Sequence, residues 1–250
     1  MSGTNETLRE FLLAFADDEH LMGQQHTEWI GVTPFLEEDL AFSSIGQDEL
    51  GHAVMLYELV CDIDGVEPTD AVIDGLAYGR GADEYRSSAF TEWGTTDWAE
   101  ALVRHWVYDI VEDFRWQLVS TSSYAPLASV AVRAQREERF HRRHAQALMD
   151  SLIDTSARTE LEVARDVVLS KLPSLLAPIE NEDSLMAAGI FSQPLASTSA
   201  AVMEQIAAVF GQDSTLDDTP NNGRTSRSEH FGPLMARMRE VIELDLDAVW

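Results

Sequence analysis

Lysine is nearly absent from this 250-residue chain: Lys171 is the only one, and arginine supplies the rest of the 17 cations against 44 Asp and Glu. The formal charge of −27 repels phosphate backbones and anionic headgroups, so neither nucleic acid nor a membrane surface is an expected partner. An acidic, lysine-poor composition suits a halophilic setting, where high ionic strength screens that self-repulsion. Cysteine is as scarce. Cys61 stands alone, so no disulfide can close within the chain, and a reducing cytoplasm is the expected location. No run approaches the roughly 18 apolar residues of a bilayer span. The first residues, Met1 to Glu6, show neither the basic nor the apolar region of a secretory signal. Persistent strand-like alternation is missing as well. What remains is 45% hydrophobic and 24% charged, an ordinary globular balance in a length that one elaborated domain can fill.

Apolar residues recur at helical spacing instead. Leu8, Leu12, Phe15, Met22 and Trp29 mark a helix over 5–31 that Pro34 ends. A second helix covers 36–62 and stops before Asp64-Gly65 and Pro68. A short helix is expected at 70–78 and a glycine-bearing loop at 79–95. Thr96 is the expected cap of a third long helix to about 120, and the break at Ser122-Ser123 and Pro126 precedes a fourth to about 153. Weaker helical stretches lie at 158–171, 183–190 and 198–210, followed by a polar loop at 211–224 and a last helix at 228–247. The pattern predicts an all-α single domain over 1–250. Its core is a four-helix bundle of two hairpins at about 5–153, with helical additions at about 156–250.

Two segments repeat one arrangement: Glu49-Leu50-Gly51-His52 and Glu138-Arg139-Phe140-His141. Residues three apart share a helical face, so each Glu–His pair can offer two ligands to one metal ion. Both pairs sit on apolar stripes, between Ile45 and Leu56 in one case and between Ala134 and Ala145 in the other. A carboxylate or imidazole buried there needs compensation, and coordination supplies it. Hairpin geometry extends the set. Two residues are level across an antiparallel helix pair when their midpoint falls at the turn. The midpoint of Glu19 and Glu49 is position 34, the proline, and that of Asp109 and Glu138 is 123.5, inside the second break. Glu112, whose midpoint with Glu138 is 125, passes the same test and stays open as an alternative to Asp109. Glu19, Glu49, His52, Asp109, Glu138 and His141 thus form a candidate di-iron ligand set. Hard oxygen donors with two imidazoles also suit manganese.

Other conspicuous residues read more plainly. His20 and His144 neighbour the ligands in sequence but point off their stripe, toward the surface or a supporting position behind the ligands, whereas His26 and His105 lie one turn from it and could orient ligands. Glu229-His230 reads as a helix start, Cys61 as an inert thiol, and Trp93, Trp98, Trp106 and Trp116 as core or subunit-contact aromatics. Arg133, Arg136, Arg139, Arg142 and Arg143 are the only basic concentration, either a solvated face or a site for an acidic partner or thioester-carrier phosphates.

At these residues the chain resembles the multicomponent phenylacetyl-CoA epoxidase of phenylacetate degradation. The matching segments run from Ala16-Asp17-Asp18-Glu19 to Glu28-Trp29, over Phe42 to Ala53, and over Arg136 to His141. The tail Ser228-Glu229-His230-Phe231-Gly232-Pro233-Leu234-Met235 with the overall length is similar to the PaaC-type subunit. The resemblance implies a ferritin-like fold and a cytoplasmic subunit that partners and stabilises a catalytic PaaA-type subunit acting on phenylacetyl-CoA. It also implies a separate reductase carrying FAD and an Fe–S cluster and drawing on NADPH. Well-known PaaC-type subunits have lost metal ligands at positions matching Glu49, His52 and Glu138, and this sequence keeps all three. In such a site Glu19 and Asp109 would be terminal ligands, Glu49 and Glu138 would bridge, and His52 and His141 would complete one iron each. The same ligand set also suits an autonomous di-iron oxygenase or a non-catalytic, ferritin-like iron-handling protein.

Overall fold

The computed structural model describes residues 3–211 and 224–244, and among them every regular element is helical. The four long helices are α1 (Gly3–Thr27), α2 (Leu36–Asp64), α5 (Trp98–Val119) and α6 (Ala125–Leu152). Shorter helices α3 (Asp70–Tyr78) and α4 (Ala89–Glu92) lie between the two hairpins. After the bundle come α7 (Arg158–Leu175), α8 (Asp183–Ala187), α9 (Ser199–Phe210) and α10 (Phe231–Arg239). α1 packs on α2 and α5 on α6, while α2 against α6 joins the hairpins and α7 covers α5. This is a ferritin-like helical bundle with C-terminal additions.

The α1–α2 hairpin is drawn together by two glycines. A Cβ on Gly23 would stand 2.9 Å from Leu50 Cγ and 3.0 Å from the Gly46 carbonyl, so only glycine permits this backbone approach. Gly65 ends α2 in the left-handed region, at φ 67°.

Several boundaries differ from the sequence expectation, each for a local reason. α1 stops at Thr27 rather than 31, because the Asp39 carboxylate gathers the Gly31 and Thr33 amides and the Thr33 hydroxyl into a turn. Asp97, not Thr96, caps α5: it accepts from the Glu100 amide at 2.9 Å while the Glu100 carboxylate reaches back to the Thr96 amide at 2.8 Å. The expected loop at 79–95 contains α4, whose cap residue Ser88 donates its amide to buried Asp18. The helix expected at 183–190 is one short turn, since Gly189 takes φ 75°. Of the expected loop at 211–224, residues 212–223 lie outside the described residues. The expected last helix appears as α10 and a 3-10 turn at Ile242–Leu244, with 245–247 outside them.

The apolar core forms two masses along the bundle. One gathers Leu12, Phe15, Leu56, Trp116, Ala131 and Ala134; the other gathers Met22, Trp106, Ala145 and Met149. Glu19, at a level between Phe15 and Met22, and Glu138 and His141, between Ala134 and Ala145, mark a polar layer separating them.

Candidate metal centre

All six sequence-derived candidates are buried, none more than 2% exposed. Glu19 from α1, Glu49 and His52 from α2, and Glu138 from α6 each offer one ligand atom, and these four atoms lie within 4.8 Å of one another. His52 Nδ1 is 3.2 Å from Glu19 Oε2 and 3.5 Å from Glu138 Oε1. His141 lies outside that tight group yet aims the same nitrogen at it: its Nδ1 is 3.4 Å from Glu138 Oε1 and 3.8 Å from Glu49 Oε1. The two acids of α5 divide between different neighbours. Asp109 Oδ1 lies 3.1 Å from His105 Nδ1, and Glu112 Oε1 lies 3.1 Å from Arg115 Nη1. Neither joins the tight group, so Asp109 and Glu112 remain on its border.

The outward nitrogens of the two histidines are tied across the hairpins. His52 Nε2, on α2, meets Glu137 Oε2, on α6, at 2.8 Å; His141 Nε2, on α6, meets Asp48 Oδ2, on α2, at 3.1 Å. Each acid immediately precedes the glutamate of its own Glu-x-x-His segment. Asp48 and Glu137 escaped the sequence reading, although a carboxylate directly before each pattern was the available signal. With Nε2 turned outward to a carboxylate, each Nδ1 faces the layer and is the nitrogen that would coordinate a metal once its proton is displaced. Tyr108 Oη donates to Glu19 Oε1 at 3.2 Å, and the Trp116 indole packs against His52 with centroids 5.4 Å apart.

The electrostatics are those of too many acids in a dry place. Burial, reinforced by the Glu49 charge, pushes Glu19 up to about 8. Burial also raises Glu49, and it raises Asp109 and Glu112 well above the carboxylate range. Burial acts against the imidazolium of His52, yet the hydrogen bond to Glu19 and the charges of Glu19 and Glu138 hold that ring well above its usual value. His141 is likewise held high against its burial by Glu138 and Asp48. Neither oxygen of Glu49 or Glu138 accepts a hydrogen bond, and His141 Nδ1 has no partner. Buried polar atoms are otherwise almost always satisfied. Unpaired oxygens and an inward imidazole fit divalent cations in both charge and donor type. The residues fit a metal centre.

The remaining candidates sort around this layer. His20 is not at the surface: it is 3% exposed and edge-on to Tyr78, at the end of α3, at 5.0 Å, and burial pushes it down to about 4. His26 stacks edge-on with His105 at 4.9 Å, and His105 touches Asp109, so the two reach the layer in series. His144 sits apart, bonded to Glu38 at 2.9 Å. His230 directly precedes α10. Trp93, Trp106 and Trp116 are core residues, and the Cys61 thiol is buried and raised by burial. Arg142 is committed to Asp113 and Gln205.

With this arrangement in view, comparison with known proteins is decisive about kinship. A family model described as phenylacetic acid catabolic protein matches residues 1–250. The chain belongs to this family. Within it, the C-subunit of 1,2-phenylacetyl-CoA epoxidase from Escherichia coli (strain K12) is 24% identical over 241 residues, 93% of this chain and 94% of that protein. As a phenylacetic acid catabolic protein, the chain pairs its family's helical fold with a buried acid-and-imidazole layer that could hold metal. No helix among the described residues is long and apolar enough to cross a membrane.

Proposed function

We propose that the chain is the PaaC-type subunit of a phenylacetyl-CoA epoxidase, stabilising a PaaA-type catalytic subunit, and that it holds a di-iron centre of its own. Similarity over nearly the full length of the Escherichia coli epoxidase protein supports the first half. The single observation behind the second is the set of buried ligand atoms lacking partners at Glu49, Glu138 and His141. Glu19, Glu49, His52 and Glu138, with Asp109 and His141 beside them, would hold the irons. Bound there and reduced, such a pair supplies electrons and open coordination positions for O₂ chemistry. The protein's own part is positional. Asp48 and Glu137 orient the two imidazoles from outside, Arg115 lies beside Glu112, and Phe15 and Trp116 keep water from one side.

A subunit role also suits the surface. Ile30, Val32, Phe35, Leu36 and Leu40 are 44–69% exposed and nearly consecutive, an apolar patch of the kind subunits bury. Electrons would come from a separate NADPH-dependent reductase. Co-expression with a PaaA-type subunit tests the reading. Co-purification, with iron per complex falling by about two when this chain carries Glu49→Gln and His52→Ala, supports both halves. Co-purification with unchanged iron confines the chain to a structural role. Epoxide formation without the partner would instead make it an autonomous oxygenase.

A further inference from the structure

Two adjoining voids lie between α1, α5 and the stretch that leads from α7 to α9, and neither the packing nor the candidate centre uses them. Both are walled by Phe11, Arg115, Glu182 and Leu195. Phe191 and Leu118 complete the outer one, whose rim carries the exposed Gln193, and Phe15 stands over the inner one. Their volumes are about 20 and 30 Å³. A water needs roughly 10–15 Å³ and a pocket for a molecule the size of a thioester substrate roughly 300 Å³ or more, so only a species of two or three atoms fits. The charged walls are engaged with other partners. Arg115 lies against Asp18 and Glu112, Arg224 beside the inner void lies against Asp18 and main-chain carbonyls, and Glu182 Oε2 accepts the Ile179 amide at 3.3 Å. What faces the voids is mainly aromatic and aliphatic, a surface that holds water poorly and small apolar molecules well.

The floor of this recess backs onto the candidate centre. Arg115 Cζ lies 4.6 Å from the Phe15 ring centroid, and Arg115 Nη1 is 3.1 Å from Glu112 Oε1 at the border of the layer. Phe15 in turn meets Trp116 at 4.2 Å, and Trp116 meets His52 at 5.4 Å. One side chain therefore separates the voids from Glu112, and two separate them from His52. Other sides of the layer are less suited to an apolar visitor. The approach past the partly exposed Asp48 and Glu137 is walled by carboxylates. Behind Asp109 stands His105, with the His26 and Phe42 rings packed 4.9 and 5.2 Å from its own. Resting on the di-iron reading, we infer that the two voids are an entry site that holds dioxygen on its way to the buried layer. Dioxygen is small, uncharged and apolar, so it leaves water for such a space, and the aromatic barrier that keeps water out does not exclude it.

Leu195 borders both voids and is only partly buried, which makes it the residue to change. Crystals of the metal-free chain under xenon pressure should show the gas between Phe11 and Leu195. Leu195→Trp should remove it, and Leu195→Ala should raise its occupancy. In the full chain loaded with ferrous iron without oxygen, Leu195→Trp should slow the second-order reaction with O₂ at least about fivefold, and Leu195→Ala should leave it equal or faster. Circular dichroism and anaerobic iron content should match the wild type in both variants. Leu118→Phe narrows the outer void by a smaller change and should slow the reaction in the same direction, so the test survives a Leu195→Trp chain that fails to fold. Two results overturn the inference while the di-iron reading stands: xenon absent from the recess, or a rate with O₂ that the filling variants leave unchanged. A wild-type chain that takes up no iron fails the di-iron reading first, and the entry site with it.

Discussion

Two neighbouring buried polar regions of this bundle are built on opposite terms. Around Asp18 every charge is answered. Arg115 and Arg224 approach its carboxylate at 3.1 and 2.8 Å, the Ser88 amide and Thr91 hydroxyl donate to it, and Arg224 spends its remaining donors on carbonyls of Leu175, Ala177, Ala14 and Arg86. Nearby, Glu92 closes with Arg227, Ser87 and the Ser228 amide. Around Glu49 and Glu138 the acids outnumber their donors. Burial depth is the same in both, so desolvation alone does not separate them. The difference is that the first region closes on itself and serves the fold, whereas the second is complete only with something added. Arg115 stands at the border, 3.1 Å from Asp18 and 3.1 Å from Glu112.

The most damaging way to break this contrast is to open the closed region. Arg224→Ala strands Asp18 with one arginine and leaves four carbonyls without that donor. Chemical denaturation should show a loss of about 3–5 kcal/mol, the range for breaking a buried pair. Completing the open region should have the next largest effect, in the opposite direction. Ferrous or manganous ion at about 100 times its dissociation constant, without oxygen, should stabilise the protein by about 2.7 kcal/mol. That corresponds to a rise of roughly 5–10 °C in Tm. Glu138→Gln should abolish the response; if that variant still gains stability from metal, the open region is not the site.

The pH dependence should separate the regions next. In the metal-free protein Glu19 keeps its proton up to about 8, while the unfolded chain releases it near 4.5. Between those values the folded state binds the extra proton, so stability falls as pH rises, by on the order of 1.4 kcal/mol per pH unit, and levels off above about 8. Comparing the wild type with Glu19→Gln at pH 5 and pH 8 isolates this slope. Asp18 has the opposite sign: despite its burial, Arg224 and Arg115 hold it below 3.8, so its contribution stands at neutral pH and is lost only in acid below that value. The smallest change is Tyr108→Phe, which removes the donor to Glu19 Oε1; stability should drop by about 1 kcal/mol in the metal-free protein and less with metal bound.

Much of the open region was legible from local pattern, because a helix pair joined by a short turn converts sequence distance into height. Pro34 set the level of Glu19 against Glu49, and the stripes gave their facing. The closed region was not legible at all: Arg224 lies some 200 residues from Asp18, and no periodicity links them. For the same reason the burial of His20 was not legible, since it is Tyr78, some 58 residues on, that covers it. Choosing between Asp109 and Glu112 lay beyond spacing too. One turn apart, both point inward, and only their different neighbours, His105 and Arg115, tell them apart.

The crosswise ties between the hairpins have an evolutionary corollary. Because Asp48 orients the imidazole borne by the other hairpin, and Glu137 does the reverse, neither hairpin contains a working half of its own. A drift that erases one acid loosens a ring on the far side, relaxing selection on that ring and then on the glutamate beside it. Lineages descended from such a chain should therefore shed these groups together, not one by one.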